Sequence, residues 1–274
     1  MHVGVPREVK VAERRVGLTP ASVRELVTHG HEVTVEADAG NGIGAPDEVY
    51  VTAGATIAAD AQAVWREADL VVKVKEPQEA ERANLRDGQI LFTYLHLAPD
   101  VRQTEELLES GATCIAYETV TDAHGGLPLL APMSKVAGRM AVQAGAHCLE
   151  SRNGGAGILL GGVPGVASGR AVVIGGGVVG ENAIEMAIGL GSQVTVLDRD
   201  LDVLDRLSSR FGAELETVYS TDDSLEAEVL AADLVVGAVL VKGATAPKLV
   251  TEEMVRRMKP GSVISFKPLL NILK

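Results

Sequence analysis

Aromatic residues are scarce: one Trp, four Tyr and three Phe in 274 residues. The core must be filled by Ala, Val, Leu and Ile, which suit strands packed beneath small-residue helices. Cysteine is scarcer still. Cys114 and Cys148 cannot build the disulfide framework of a small secreted domain, and reduced, buried thiols are expected rather than redox or metal-binding ones. No apolar run reaches the ~18 residues that a bilayer-spanning helix requires. The opening Met1–Glu8 lacks the apolar segment of a signal peptide, so a cytoplasmic protein is expected. Positive charge is the minority sign: 25 Lys and Arg against 37 Asp and Glu leave a net charge of −12. Such a surface repels phosphate backbones and offers no basic run to an anionic membrane. Neither nucleic acid nor a membrane is an expected partner. The 30 Gly and 11 Pro follow no short period, which excludes collagen-like and linker character.

What is present is alternation. Short apolar runs at 2–5, 32–36, 70–74, 89–93 and 113–117 read as buried strands, separated by helical patterns at 20–29, 60–67 and 101–110. The second half repeats the scheme, with strands at 170–174, 193–197, 214–218, 234–238 and 262–266. Its helices fall at 180–190, 202–211, 224–231 and 251–258. This order predicts an α/β chain of two Rossmann-like domains with parallel sheets. The longest helical pattern, from Leu130 to Ser151, is expected to connect them. Pro132 stands near its start, and Gly138, Ala141, Gly145 and Ala146 allow a close neighbour. The glycine-rich stretch 153–165 is read as a bend around a strand at 157–161. The boundary is placed at 130, giving a substrate domain at 1–130 and a dinucleotide-binding domain at 131–274.

Val172-Val173-Ile174-Gly175-Gly176-Gly177-Val178-Val179-Gly180 is a strand, then Gly-x-Gly-x-x-Gly, then a helix. In that context Gly175 makes the tight turn, Gly177 lets backbone N–H groups reach a diphosphate, and Gly180 seats the helix on the strand. Gly175, Gly177, Val178, Val179 and Gly180 are thus candidate cofactor-binding positions at a helix N-terminus, which favours an anion. Asp198 lies 18 residues after Gly180. There a carboxylate accepts hydrogen bonds from ribose hydroxyls and repels a 2′-phosphate, which points to NAD over NADP. Arg199 beside it is compatible with the phosphate. Val239 and Leu240, after the fourth strand, either line the nucleotide crevice or form a plain apolar strand end.

Further motifs carry a resemblance. They are Gly4-Val5-Pro6-Arg7-Glu8, Arg14-Arg15-Val16-Gly17-Leu18-Thr19-Pro20, Lys73-Val74-Lys75-Glu76-Pro77, Leu91-Phe92-Thr93-Tyr94-Leu95-His96-Leu97, Ala116-Tyr117-Glu118-Thr119-Val120, Pro128-Leu129-Leu130-Ala131-Pro132-Met133-Ser134 and Gly161-Gly162-Val163-Pro164-Gly165-Val166. In order and spacing the chain resembles the alanine dehydrogenases, a group that includes the NAD-binding subunit of proton-translocating transhydrogenase. The resemblance implies reversible oxidation of L-alanine by NAD and water to pyruvate, ammonia and NADH. It implies a homohexamer as well.

The same resemblance assigns roles. Arg15 carries a planar fork suited to a substrate carboxylate, though Glu13 or Glu8 is an alternative partner. Lys75 is expected at a strand end, on the same face as Lys73, where it holds the substrate oxygen. His96 acts as general acid and base. Tyr94 lines the crevice, Glu118 ties loops together, and Ser134 reaches a cofactor phosphate from the connector helix. The remaining histidines are read as structural, and no metal-ligand spacing occurs. Alternatives are a non-catalytic NAD-binding fragment and the transhydrogenase subunit. The resemblance runs to about Ser265. The family continues beyond that point with an Ile-Asp-Gln-Gly-Gly motif whose aspartate joins the catalytic centre, whereas this chain reads Phe266-Lys267-Pro268-Leu269. A truncated or altered end and weak turnover are therefore expected.

Overall fold

A computed structural model describes residues 1–239 and 248–266. The chain divides into two compact units, Met1–Leu130 and Ala131–Lys274.

The first unit is built on β1 (His2–Val5), β2 (Glu32–Glu36), β3 (Thr56–Ala58), β4 (Leu70–Val72), β5 (Ile90–Thr93) and β6 (Thr113–Ala116). They form one sheet in the order β3-β2-β1-β4-β5-β6, parallel throughout. Helices α1 (Pro20–Thr28), α2 (Asp47–Thr52), α3 (Ala61–Glu67), α4 (Glu79–Arg82) and α5 (Val101–Glu109) make the crossovers. Their starts are written locally. Thr19 caps α1 ahead of Pro20 at the first turn, and Asp60 and Asp100 cap α3 and α5. Alternation along β1 splits the core. Val3 and Val5 join Val33, Val35 and Tyr50 on one face. Gly4 faces the other, where Ala68 and Val64 approach so closely that a Cβ would lie 2.6 Å from that of Ala68.

The second unit holds α6 (Ala131–Leu149), β7 (Arg170–Ile174), α7 (Val178–Gly189), β8 (Gln193–Asp198), α8 (Leu201–Phe211), β9 (Leu215–Tyr219), α9 (Asp222–Ala231), β10 (Leu234–Gly237), α10 (Glu252–Arg257) and β11 (Val263–Phe266). The five strands lie in the order β11-β10-β7-β8-β9, again all parallel. Ala171 and Val173 pack on one face, Val172 and Ile174 on the other. Both sheets follow the doubly wound order, whose reversal lies between β1 and β4 in one and β7 and β10 in the other. At such a point connections leave to opposite faces and open a crevice at the carboxyl strand ends.

Several expectations change. Helix α6, read as a connector, packs within the second unit. Gly138 meets the Val179 carbonyl so closely that a Cβ would lie 2.2 Å from it, and Gly145 rests on Leu234. Residues 157–161 form no strand; only an isolated bridge joins Val163 and Val166 nearby. The strand read at 70–74 stops at Val72. Lys73 therefore does not share an exposed strand face with Lys75: it is fully buried. The cysteines are free but not buried, Cys114 being half-buried and Cys148 exposed. Leu240 lies outside the described residues. Among the described residues no helix is long and apolar enough to cross a membrane, and no cluster of metal-ligating side chains occurs.

Candidate active site

In the first unit the chemistry-bearing side chains leave from the carboxyl ends of adjacent strands. The loop after β1 carries Glu8, Lys10, Glu13 and Arg15. The segment after β4 carries Lys75 and Glu76, that after β5 carries Tyr94 and His96, and that after β6 carries Glu118. The β1 and β4 loops meet at Gly17, where a Cβ would fall 2.3 Å from the Val72 carbonyl oxygen. Only glycine permits that approach, and it brings the Arg15 loop against the start of the Lys75 segment.

Arg15 is half-exposed and its fork is engaged. Its Nε donates to Oε1 of Glu13 at 2.8 Å and its Nη2 to Oε2 at 2.6 Å. The backbone N–H of Arg15 reaches the same carboxylate at 2.9 Å. Burial pushes the Glu13 carboxyl up, but the bonds from Arg15 prevail and hold it below its ordinary value. The partner anticipated as an alternative is thus present. The Nε–Nη2 edge belongs to Glu13, and the remaining guanidinium donors are left for another acceptor.

Burial lowers the Lys75 ammonium's pKa, repulsion from Lys10 and Arg15 lowers it further, and Glu76 and Glu13 oppose the shift. Lys10 itself is paired with Glu76. Burial likewise lowers the His96 imidazole, against the pull of Glu118 and Glu76 and with the push of Lys75 and Lys10. The charge of Lys75 thus acts on His96, and the downward shift favours the proton-accepting form of the imidazole. The His96 ring stacks parallel to that of Tyr94, with centroids 6.0 Å apart. Tyr94 packs edge-on against Tyr117 at 4.9 Å and donates its hydroxyl to the Leu129 carbonyl. Burial, with Glu118, keeps the Tyr94 phenol protonated, while Arg15 works the other way. Glu118 receives the backbone N–H groups of Leu95 and His96.

In the second unit the glycine turn joins β7 to α7. Gly175 sits at φ +100°, and a Cβ there would press on Val239 and Ala238 at the end of β10. Gly180 lies over the Gly175 carbonyl oxygen, 1.8 Å from where its Cβ would be. Gly177, by contrast, faces open space. Helices α8, α9 and α10 begin on an Asp or Thr side-chain cap; α7 begins at Val178 with none. Its first N–H groups, around Gly177, Val178 and Val179, have no side-chain acceptor. Asp198 ends β8. Its Oδ2 accepts the Gly176 N–H at 2.6 Å and its Oδ1 the Asp200 N–H at 3.0 Å, so one carboxylate fixes the turn and keeps lone pairs for other donors. A shallow, open depression is lined by Asp198, Arg199, Asp200, Leu201 and Asp202. Ser134, buried on α6, lies one turn before Gly138 on the same helix face. An uncapped helix start, an open glycine and a strand-end carboxylate fit the diphosphate and ribose of a dinucleotide.

Reading the sequence gave no role to Lys10 or Glu76 and offered Glu13 only as a partner for Arg15. Glu76 stands within the Lys73–Pro77 motif, while Lys10 and Glu13 fall between the Gly4–Glu8 and Arg14–Pro20 motifs, and that placement was the signal available.

Known proteins share both the sequence and the fold of this chain. The family model for the alanine dehydrogenase/PNT N-terminal domain matches residues 4–137, and that for the C-terminal domain matches 141–265. The alanine dehydrogenase of Halomonas elongata is 60% identical over 264 residues, which are 96% of this chain and 71% of that protein. That of Mycobacterium tuberculosis H37Rv is 53% identical over the same shares. A solved L-alanine dehydrogenase superposes with a TM-score of 0.89 at 51% identity, over 96% of this chain and 73% of the other. A transhydrogenase from Sinorhizobium meliloti reaches a TM-score of 0.79 at 27% identity, over 96% and 77%. The chain belongs to the alanine dehydrogenase/PNT family.

Proposed function

We propose that the protein catalyses the reversible oxidative deamination of L-alanine by NAD, forming pyruvate and ammonia. The observation that carries this reading is positional: Arg15, Lys75 and His96 stand in the segments that leave the carboxyl ends of β1, β4 and β5, three consecutive strands of one sheet. The 50–60% identity to proteins named alanine dehydrogenase supports it.

The roles follow from the chemistry of each group. Arg15 offers its free guanidinium donors to the substrate carboxylate, while Glu13 holds its other edge. Lys75, protonated, donates to the substrate oxygen and offsets negative charge that develops there. His96, neutral near pH 7, takes a proton from the attacking water as the imine becomes a carbinolamine. It returns the proton to nitrogen as ammonia leaves. NAD, when bound, accepts the hydride of the α-carbon. On the protein side, the turn at Gly175 and Gly177 and the first turn of α7 at Val178, Val179 and Gly180 would hold the diphosphate, with Ser134 as a further donor. Asp198 accepts from the ribose hydroxyls, and Val239 packs beside the glycine turn. The charge of Asp198 favours NAD over NADP. A homo-oligomer is part of the proposal, supported by the exposed Leu159, Val163 and Val166 around the short bridge.

The test is NADH formation from L-alanine by the purified protein, beside Arg15→Ala and His96→Ala variants. Turnover lost in both variants, with NADH binding retained, supports the assignment. Unchanged turnover in either refutes that residue's role.

A further inference from the structure

Three ionisable side chains with no part in the proposed reaction lie beneath the Lys75 segment. The Lys73 side chain is fully buried, and those of Glu8 and Glu81 are 2% and 8% exposed. The Lys73 ammonium lies 2.8 Å from Oε1 of Glu81 and 3.3 Å from Oε2 of Glu8. Burying two carboxylates and an ammonium is unfavourable unless their lone pairs and protons find partners, and these partners are informative. Oε1 of Glu8 accepts the Val74 N–H at 2.7 Å, and Oε2 lies 3.4 Å from the Lys75 nitrogen as a weaker acceptor. Oε2 of Glu81 accepts the Gln78 N–H at 2.8 Å. The segment that follows β4 therefore sends its N–H groups to two carboxylates bridged by Lys73. On its other side Thr93 donates its hydroxyl to the Lys75 carbonyl at 2.8 Å. Glu8 also opens the loop that carries Lys10 and Arg15, so one carboxylate joins two segments bearing candidate substrate ligands.

We propose that Glu8 is a positioning residue: through the hydrogen bond that its Oε1 accepts from the backbone N–H of Val74, it fixes the Lys75 segment relative to the Arg15 loop. This rests on the reading of Lys75 and Arg15 as substrate ligands. What matters is the reach of the side chain more than its charge. A buried ion pair that served stability alone would depend on charge and would tolerate a shorter acid.

Two variants of the full chain separate these cases. Glu8→Gln keeps the length and an acceptor oxygen for Val74 and leaves Lys73 balanced one-to-one by Glu81, but it turns an NH2 donor toward Lys73 and the Lys75 N–H, so its cost falls on stability. Glu8→Asp keeps the charge but withdraws the carboxylate by one methylene, about 1.5 Å. A misplacement of ~1 Å can cost ~100-fold at an active site, so Glu8→Asp is expected to raise the KM for alanine roughly tenfold or more. It should lower kcat less and leave NADH affinity unchanged, while Glu8→Gln lowers Tm but keeps the alanine KM near the parent. Amide exchange at Val74 should accelerate in Glu8→Asp and not in Glu8→Gln. The rate at which a lysine reagent modifies Lys75, mapped by mass spectrometry, should change in the same order. If Glu8→Gln raises the alanine KM more than Glu8→Asp, or if exchange accelerates uniformly through β1 and β4, the residue is a structural ion-pair member and the proposal is overturned. A parent chain that does not turn over alanine defeats the functional reading; the exchange and labelling order still decides whether Glu8 fixes the Lys75 segment.

Discussion

One oxygen of Glu118, Oε1, accepts the backbone N–H of His96 at 2.6 Å and stands 3.9 Å from its ring Nδ1. The same oxygen takes the Leu95 N–H at 3.1 Å. His96 needs this support because its backbone is left-handed, at φ +51°. For a side chain other than glycine such a conformation costs ~1–3 kcal/mol and persists only where surrounding contacts over-determine it. Glu118 supplies those contacts below, and the stack on Tyr94 supplies them beside the ring.

Glu118→Gln should move the His96 titration to lower pH. Burial already holds the imidazole below its ordinary value, and Glu118 is the largest influence in the other direction. Removing its charge disfavours the imidazolium further. In alanine oxidation a base works above its pKa, so the acid limb of the kcat/KM profile should shift toward lower pH. An unchanged or upward-shifted limb argues against His96 as the titrating base.

His96→Ala should lower turnover by ~10²–10⁴-fold, the usual worth of a positioned acid–base group. NADH binding, followed by fluorescence titration, should be untouched. Near-normal turnover removes His96 from the mechanism.

Asp198→Asn should weaken NADH and spare or improve NADPH. The amide oxygen can still accept the Gly176 N–H, so the glycine turn is kept while the charge that repels a 2′-phosphate is lost. Equal loss of both affinities would mean that Asp198 acts only on the turn.

Gly17→Ala should separate the two halves of the reaction. Its Cβ would stand 2.3 Å from the Val72 carbonyl, so the loop must move, at a cost of about 1–3 kcal/mol. Alanine KM should rise because Arg15 rides on that loop, while NADH affinity holds. A variant with parental KM and a lowered Tm would show that the loop is only structural.

Local signals in the chain carried much of this. β1, β2 and β7 begin and end where the local pattern puts them: β7 is a nearly continuous apolar run, and β2 alternates Val with polar residues. Thr19-Pro20, Asp60, Asp100 and Asp200 mark helix starts through hydrogen bonds that close within a few residues. The Gly175–Gly180 turn and Asp198 belong to one βαβ unit, so their spacing is meaningful before any folding is known. β3, α2 and α4 were not legible: three, six and four residues are too few to show a period.

What the sequence determined by itself is the set of short-range relations: the α/β alternation, the glycine fingerprint and the family motifs holding Arg15, Lys75 and His96. Tertiary structure decided what becomes of the charges. Lys73 and Lys75 stand two residues apart, yet one is sealed between Glu8 and Glu81 and the other is half-exposed, because the strand ends at Val72 and the chain turns over a buried carboxylate. Arg15 is forked to Glu13, and His96 is held in a left-handed backbone by a residue 22 positions later. Electrostatic energy depends on distance and on loss of water, and the long-range contacts that set both exist only once the strands have found their order.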